Sequence, residues 1–226
     1  MDAQFWVIEG TDGTGKSTQA ELLANRLRNH PALVGRQVER WHFPHYDGHP
    51  WGTLIKEYLA GNMGLSHEVD PHYSGLIYAA DRGQQSPQMH QTLANGNWLV
   101  ADRYLGSNMA HQGSLLKDLG KRDELCAWLE NLEFGHFAIP RPTGTIVLNL
   151  PRGIREERLR NREGGKDILE QNLDYQADVN EEYLRLADTY GWKVVSCVSP
   201  EGEALNPQEI AVRIWDMVMP ATSHME

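Results

Sequence analysis

Gly10-Thr11-Asp12-Gly13-Thr14-Gly15-Lys16-Ser17, followed by Thr18, fits the spacing G-x-x-x-x-G-K-[ST] of a phosphate-cradling P-loop. Glycines let such a loop wrap a polyphosphate, and amides at the start of the following helix point at its oxygens. Lys16 adds a positive charge, and the Ser17 hydroxyl is a ligand for Mg²⁺. Gly10, Gly13, Thr14, Gly15, Lys16, Ser17 and Thr18 are therefore the expected contacts to a nucleoside triphosphate. Asp12 is the odd member: a carboxylate inside an anion-binding loop is electrostatically costly unless it has another task.

Two further groups suit phosphate chemistry. Asp102 closes the apolar run Trp98-Leu99-Val100-Ala101, and a carboxylate at the carboxyl end of a strand beside a P-loop faces the ligand crevice of an α/β sheet. There it can hold Mg²⁺ through water, while its neighbour Arg103 can fork onto a phosphate. Downstream, Arg152, Arg155, Arg158, Arg160 and Arg162 crowd one segment, with Lys166 just beyond. Arg155, Arg158 and Arg162 share a face at helical spacing, and Gly164-Gly165 supplies a flexible joint. The segment reads as an Arg-rich lid over about residues 152–167.

The elements that must carry these residues alternate. Apolar runs at Phe5–Glu9, Gln37–Phe43, Asn97–Asp102, Thr145–Leu150 and Trp192–Val198 read as strands. Helical patterns fill Gly52–Leu59, Pro71–Leu93, Lys121–Leu132, Gly153–Arg162, Ile168–Tyr190 and Pro207–Val218. Asp70-Pro71 is a good helix start. This is the α/β pattern of a P-loop NTPase: three layers, α/β/α, with a five-stranded parallel sheet. One domain is expected over 1–226, with a frayed tail at 221–226. Trp6, Trp41, Trp98, Trp128, Trp192 and Trp215 are expected in the core.

Composition narrows the partners. A formal net charge of -10 argues against binding a long phosphate backbone. No apolar run reaches the length of roughly 18 residues that a membrane span needs, and the first strand begins too early to leave room for a signal peptide. Cys126 and Cys197 lack metal-ligand spacing and are expected as reduced core residues in the cytoplasm.

Asp102-Arg103-Tyr104 with Ser107 completes a resemblance. The chain resembles the thymidylate kinases, which use ATP to phosphorylate dTMP. The matching pieces run in the family's order along most of the chain: the P-loop with its internal acid, Phe43-Pro44, Leu76-Ile77-Tyr78-Ala79-Ala80-Asp81-Arg82, the stretch Asp102 to Gly113, the Arg-rich lid, and Asp167-Ile168-Leu169-Glu170 opening a helix that reaches Tyr183. The resemblance implies that Tyr78 stacks on thymine, Arg82 donates to a thymine carbonyl and Asn108 completes the base edge. It places Phe43, Arg103, His111 and Gln112 around dTMP, and turns Asp12 towards the acceptor's 3'-hydroxyl. Mg²⁺ sits on Ser17 with Asp102 behind it. It also implies a homodimer.

The chain departs from the family at four places. The position of a monophosphate-gripping arginine two residues after Phe-Pro holds Tyr46, so the grip falls to Arg103 or another cation, with a protonated His45 as a possible helper. His111 stands where Tyr or Phe is common, and Pro142-Thr143 replaces Pro-Asp before the fourth strand. Gly13 follows the P-loop acid where some members carry arginine, so the transition-state arginine must come from the lid, with Arg158 or Arg162 as the candidates. The acceptor is already an oxyanion, so no general base is needed; cations and in-line alignment are. Two alternatives remain: a kinase for another nucleoside monophosphate or a deoxynucleoside, and a nucleotide-dependent switch, although the Asn-Lys-x-Asp run of a guanine switch does not occur.

Overall fold

The computed structural model describes residues 2–47, 49–64, 68–161 and 172–219. Five strands, β1 (Phe5–Glu9), β2 (Val38–His42), β3 (Trp98–Asp102), β4 (Gly144–Asn149) and β5 (Lys193–Ser196), form one parallel sheet in the order β2-β3-β1-β4-β5. Every residue of β1 and β3 is buried, as expected for central strands covered on both faces. From β1 the chain crosses to the β2 edge of the sheet, and from β3 it passes to the opposite side of β1, where β4 and then β5 follow. The crevice at their carboxyl ends is thus a topological switch point, where ligands of open α/β sheets bind.

Helices cover both faces. Helix α1 (Lys16–Arg28) and helix α8 (Pro207–Val218) pack Leu23, Leu27, Ile210 and Ile214 against one face. Helices α3 (Pro71–Ala94), α4 (Leu105–Gly113), α5 (Leu119–Glu130) and α7 (Leu173–Tyr190) cover the other through Met89, Met109, Leu125, Val179, Tyr183 and Leu186. Helix α2 (Pro50–Leu59) packs on α3, and α6 (Arg152–Asn161) begins the arginine-rich segment. Among the described residues, no helix is long and apolar enough to cross a membrane.

The differences from the expected elements have local causes. Helix α4, absent from the expected elements, is short and its residues are nearly all buried. A buried carboxylate fixes its start: Glu9 accepts from the Tyr104 and Ser107 amides at 2.8 and 3.0 Å. A Cβ on Gly106 would meet Glu9 Oε1 at 2.9 Å, so this helix end needs glycine. The helix expected to end at Leu132 widens after Glu130 into a π-helical turn, Asn131–His136, which brings Glu133 into the interior. Helix α7 begins at Leu173; the expected start at Ile168 lies outside the described residues, as do Gly164-Gly165 and the tail. Trp6, Trp41 and Trp98 are buried, whereas Trp128, Trp192 and Trp215 are only half-buried at the core's margins. Both cysteines are free and buried. Thr143 replaces the expected acid by bonding β1, its amide donating to Phe5 O at 2.7 Å and its hydroxyl accepting from Phe5 N at 3.0 Å.

Candidate active site

The register of the sheet builds the site. Ile8 of β1 and His42 of β2 both pair with Asp102 of β3, so the P-loop, Phe43 and Asp102-Arg103 leave the sheet at one level. They open onto a cavity of about 620 Å³, a size suited to a small ligand.

At the P-loop end, Lys16 is buried; its Nζ donates to Thr11 O at 2.9 Å and lies 3.6 Å from Asp12. Burial and then Arg103 push the Lys16 pKa down to about 8, against the pull of Asp12 and Asp102. Ser17 Oγ donates to Asp102 Oδ2, which also meets His42 Nδ1 at 3.1 Å. Burial works to raise the Asp102 pKa, but His42, Lys16 and Ser17 hold it at about 2. Its other oxygen, Oδ1, is buried and has no hydrogen-bond partner among the described residues. A hydroxyl and an ionised carboxylate with an unclaimed oxygen form a hard oxygen donor set, which suits Mg²⁺.

Asp12 forms an ion pair with Arg103 Nη2. Gln176 of α7 donates to its other oxygen at 3.4 Å. Burial opposes ionisation of Asp12, yet Arg103 and Lys16 overcome it and keep the carboxylate well below its usual range. Arg103 itself occupies left-handed backbone, φ 66, immediately after β3, a conformation uncommon outside glycine. That turn carries its guanidinium back over the P-loop, with Nη1 on Ser107 Oγ at 3.2 Å. His111 stands beside it, Nε2 at 3.4 Å from Nη1. The Tyr175 hydroxyl donates to His111 O at 3.2 Å and sits 3.0 Å from Nδ1; Nδ1–H therefore donates to that hydroxyl, and Nε2 faces Arg103 as an acceptor. Burial and Arg103 push the His111 pKa down to about 3, so the ring is neutral.

The opposite end is built on α3 and α4. Tyr78 stands edge-on to Tyr58, ring centroids 6.3 Å apart. Arg82 is buried and forked onto Glu133, Nε to Oε2 at 2.6 Å and Nη2 to Oε1 at 2.5 Å. Asn108 Nδ2 donates to Gly75 O and to Glu133 Oε1, both at 2.9 Å. Its Oδ1 is buried without a partner among the described residues. Gln112 Oε1 accepts from Ser74 Oγ at 2.6 Å.

A family model described as thymidylate kinase matches residues 8–207. The chain belongs to the thymidylate kinase family. Like its family, it is a phosphotransferase that acts on dTMP. It is 30% identical over 216 residues to a probable thymidylate kinase of Pyrobaculum aerophilum, covering 95% of each chain. It is 34% identical over 187 residues to a thymidylate kinase of Leifsonia xyli, covering 81% of each. The fold is similar to the solved structure of thymidylate kinase from Candida albicans, with TM-score 0.73 at 24% identity over 96% of this chain and 91% of that one.

The residues that the thymidylate kinase resemblance singles out mostly converge. Asp12, Phe43, Tyr78, Arg82, Arg103, Asn108, His111 and Gln112 all line the cavity, together with Gly13, Gly15, Lys16, Ser17, Thr18, Asp102 and Arg158. Gly10 and Thr14 do not line it. Gly10 packs beneath the loop, where a Cβ would meet Leu148 O at 2.8 Å, and the Thr14 hydroxyl donates inward to Thr11 O at 2.8 Å. Arg162 lies outside the described residues. His45, considered above as a helper at the monophosphate, does not line the cavity. Its ring packs edge-on against Trp41 and Phe43, and burial with His49 and His42 lowers its pKa. Tyr46 does line the cavity in the expected arginine's place. Sequence reading missed Glu133, His42 and Gln176. His42 had a usable signal, since the last residue of β2 must face the end of a neighbouring parallel strand; Glu133 had none.

Proposed function

We propose that this member of the family transfers the γ-phosphoryl group of ATP to the 5'-phosphate of dTMP, giving dTDP and ADP. An acceptor phosphate oxygen forms the new bond to the γ-phosphorus as the bond to the β,γ-bridging oxygen breaks, and the electron pair leaves with ADP. The P-loop amides, Lys16, Ser17 and Thr18 hold the triphosphate. Ser17 and Asp102 hold Mg²⁺, which when bound neutralises charge on the phosphate oxygens. Arg103 meets the acceptor phosphate, and Arg158, at the cavity from the lid side, or Arg162 meets the transferring group. Tyr78, Arg82 and Asn108 read thymine, with Phe43, His111 and Gln112 closing the walls. Arg82 as a donor favours thymine and uracil over cytosine, whose amino group at that position cannot accept.

The observation that carries this reading is the Asp12–Arg103 ion pair, which ties the donor loop to the wall of a cavity whose far end is lined by Tyr78, Arg82 and Asn108. The same pair weighs against a nucleoside acceptor. A hydroxyl would need a base, and the Asp12 and Asp102 carboxylates hold their pKa values below the usual range, which makes them poor ones. The test compares Asp12→Asn with wild type on dTMP and its 3'-deoxy analogue. The wild type is expected to prefer dTMP and the variant to lose that preference; a variant equally impaired on both substrates would remove Asp12 from the 3'-hydroxyl.

The working form is proposed to be a homodimer in the cytoplasm, independent of nucleic acid and membrane. Sedimentation at micromolar concentration is expected to give a dimer, and monomer alone would refute it.

A further inference from the structure

Helix α6 is seated on the P-loop itself. Gly13 has φ +81, and a Cβ there would lie 3.2 Å from Arg155 Cγ, Arg155 O and Leu159 Cγ. The residue that makes this contact, Arg155, is 2% exposed, does not line the cavity and has no part in the chemistry above. Its Nη1 donates to Thr11 Oγ1 at 3.1 Å and its Nη2 to Gln176 O of α7 at 3.3 Å, while its Nε is buried without a partner among the described residues. Burying a guanidinium with so few partners is costly, and an apolar side chain could fill the same space against Gly13.

Both of its partners touch the reacting ends of the site. The Thr11 carbonyl accepts from Lys16 Nζ at 2.9 Å, and the Gln176 side chain donates to Asp12 at 3.4 Å. Arg158 follows Arg155 by three residues on the same helix and lines the cavity. We infer that Arg155 is a positioning residue, a latch that fastens α6 to the P-loop through Thr11 and to α7 through Gln176, and so sets Arg158 and Asp12 relative to the phosphates. The inference rests on the phosphoryl transfer proposed above.

The experiment measures kcat and KM of the full chain for ATP and dTMP in Arg155→Met, Thr11→Val and the double variant, with thermal midpoints alongside. Methionine keeps the stem against Gly13 and removes the hydrogen bonds. Each single change is expected to lower kcat about 10- to 100-fold, the scale of a small misplacement of reacting groups, with the KM for dTMP within about twofold and the midpoint little changed. The double variant is expected to be no worse than the poorer single, because Arg155→Met already removes the Thr11 contact that Thr11→Val deletes. Wild-type kcat in either single variant, multiplied effects in the double, or a raised KM with unchanged kcat would each overturn the latch. If Arg155→Met fails to fold, Thr11→Val decides alone by the same criterion. A wild-type chain that does not turn over dTMP would instead sink the parent reading.

Discussion

Arg158→Ala is expected to lower turnover of ATP and dTMP by about 100-fold or more, because an arginine aimed at a transferring phosphoryl group supplies roughly 10³–10⁵ in rate. Gly13 offers no side chain, and a larger residue would collide with α6. Arg103 pairs with Asp12 and is proposed to meet the acceptor phosphate, and Arg155 is buried against Thr11. Among the described arginines of the lid segment, Arg158 alone lines the cavity. The effect belongs in kcat. The dissociation constant for dTMP, measured by calorimetry without nucleoside triphosphate, is expected to stay within about threefold, since a group that acts only in the transition state leaves ground-state binding alone. Near-normal turnover in Arg158→Ala would hand the role to Arg162, and near-normal turnover in both variants would remove the lid from the chemistry.

Glu133→Ala is expected to cost about 3–5 kcal/mol of folding stability, the usual penalty for stranding one member of a buried ion pair. Arg82 and Glu133 are both almost fully buried and joined by two hydrogen bonds, and Asn108 shares one of the Glu133 oxygens. Removing the acid leaves a guanidinium in the interior with its strongest partner gone. Urea unfolding of Glu133→Ala against the double variant Arg82→Met/Glu133→Leu separates the causes, because the double variant removes both charges and is expected to lose less stability. It should still lose recognition of the base. A loss below about 1 kcal/mol in Glu133→Ala would mean that the pair does not hold the α3–α4 wall together.

These two residues mark what sequence reading could reach. The P-loop was legible because its geometry is local: glycines, lysine and hydroxyl act within one turn, between a buried strand and a helix. Asp102 was legible because a carboxylate ending an apolar strand has one place to point in a parallel sheet. Arg82 was expected at a thymine carbonyl; it lines the cavity, but its partner Glu133 was not foreseen. Glu133 lies far along the chain in a π-helical turn, and no periodicity foretells which side of such a turn faces inward. The pairing of Asp12 with Arg103 was hidden for the same reason, since it depends on an arginine in left-handed backbone at the end of β3. Arg155 shows the opposite limit. Helical spacing grouped it with Arg158 on one face, but only packing on Gly13 separates a buried residue from one that lines the cavity.

Whether the cavity between the P-loop and the Tyr78–Arg82–Asn108 wall takes dTMP as phosphoryl acceptor is decided by ADP release from ATP and Mg²⁺ across dTMP, dUMP, dCMP, dGMP, UMP and thymidine. The strongest stimulation is expected from dTMP and none from thymidine, which lacks the accepting phosphate. Stimulation by dTMP no greater than by the other acceptors would contradict it.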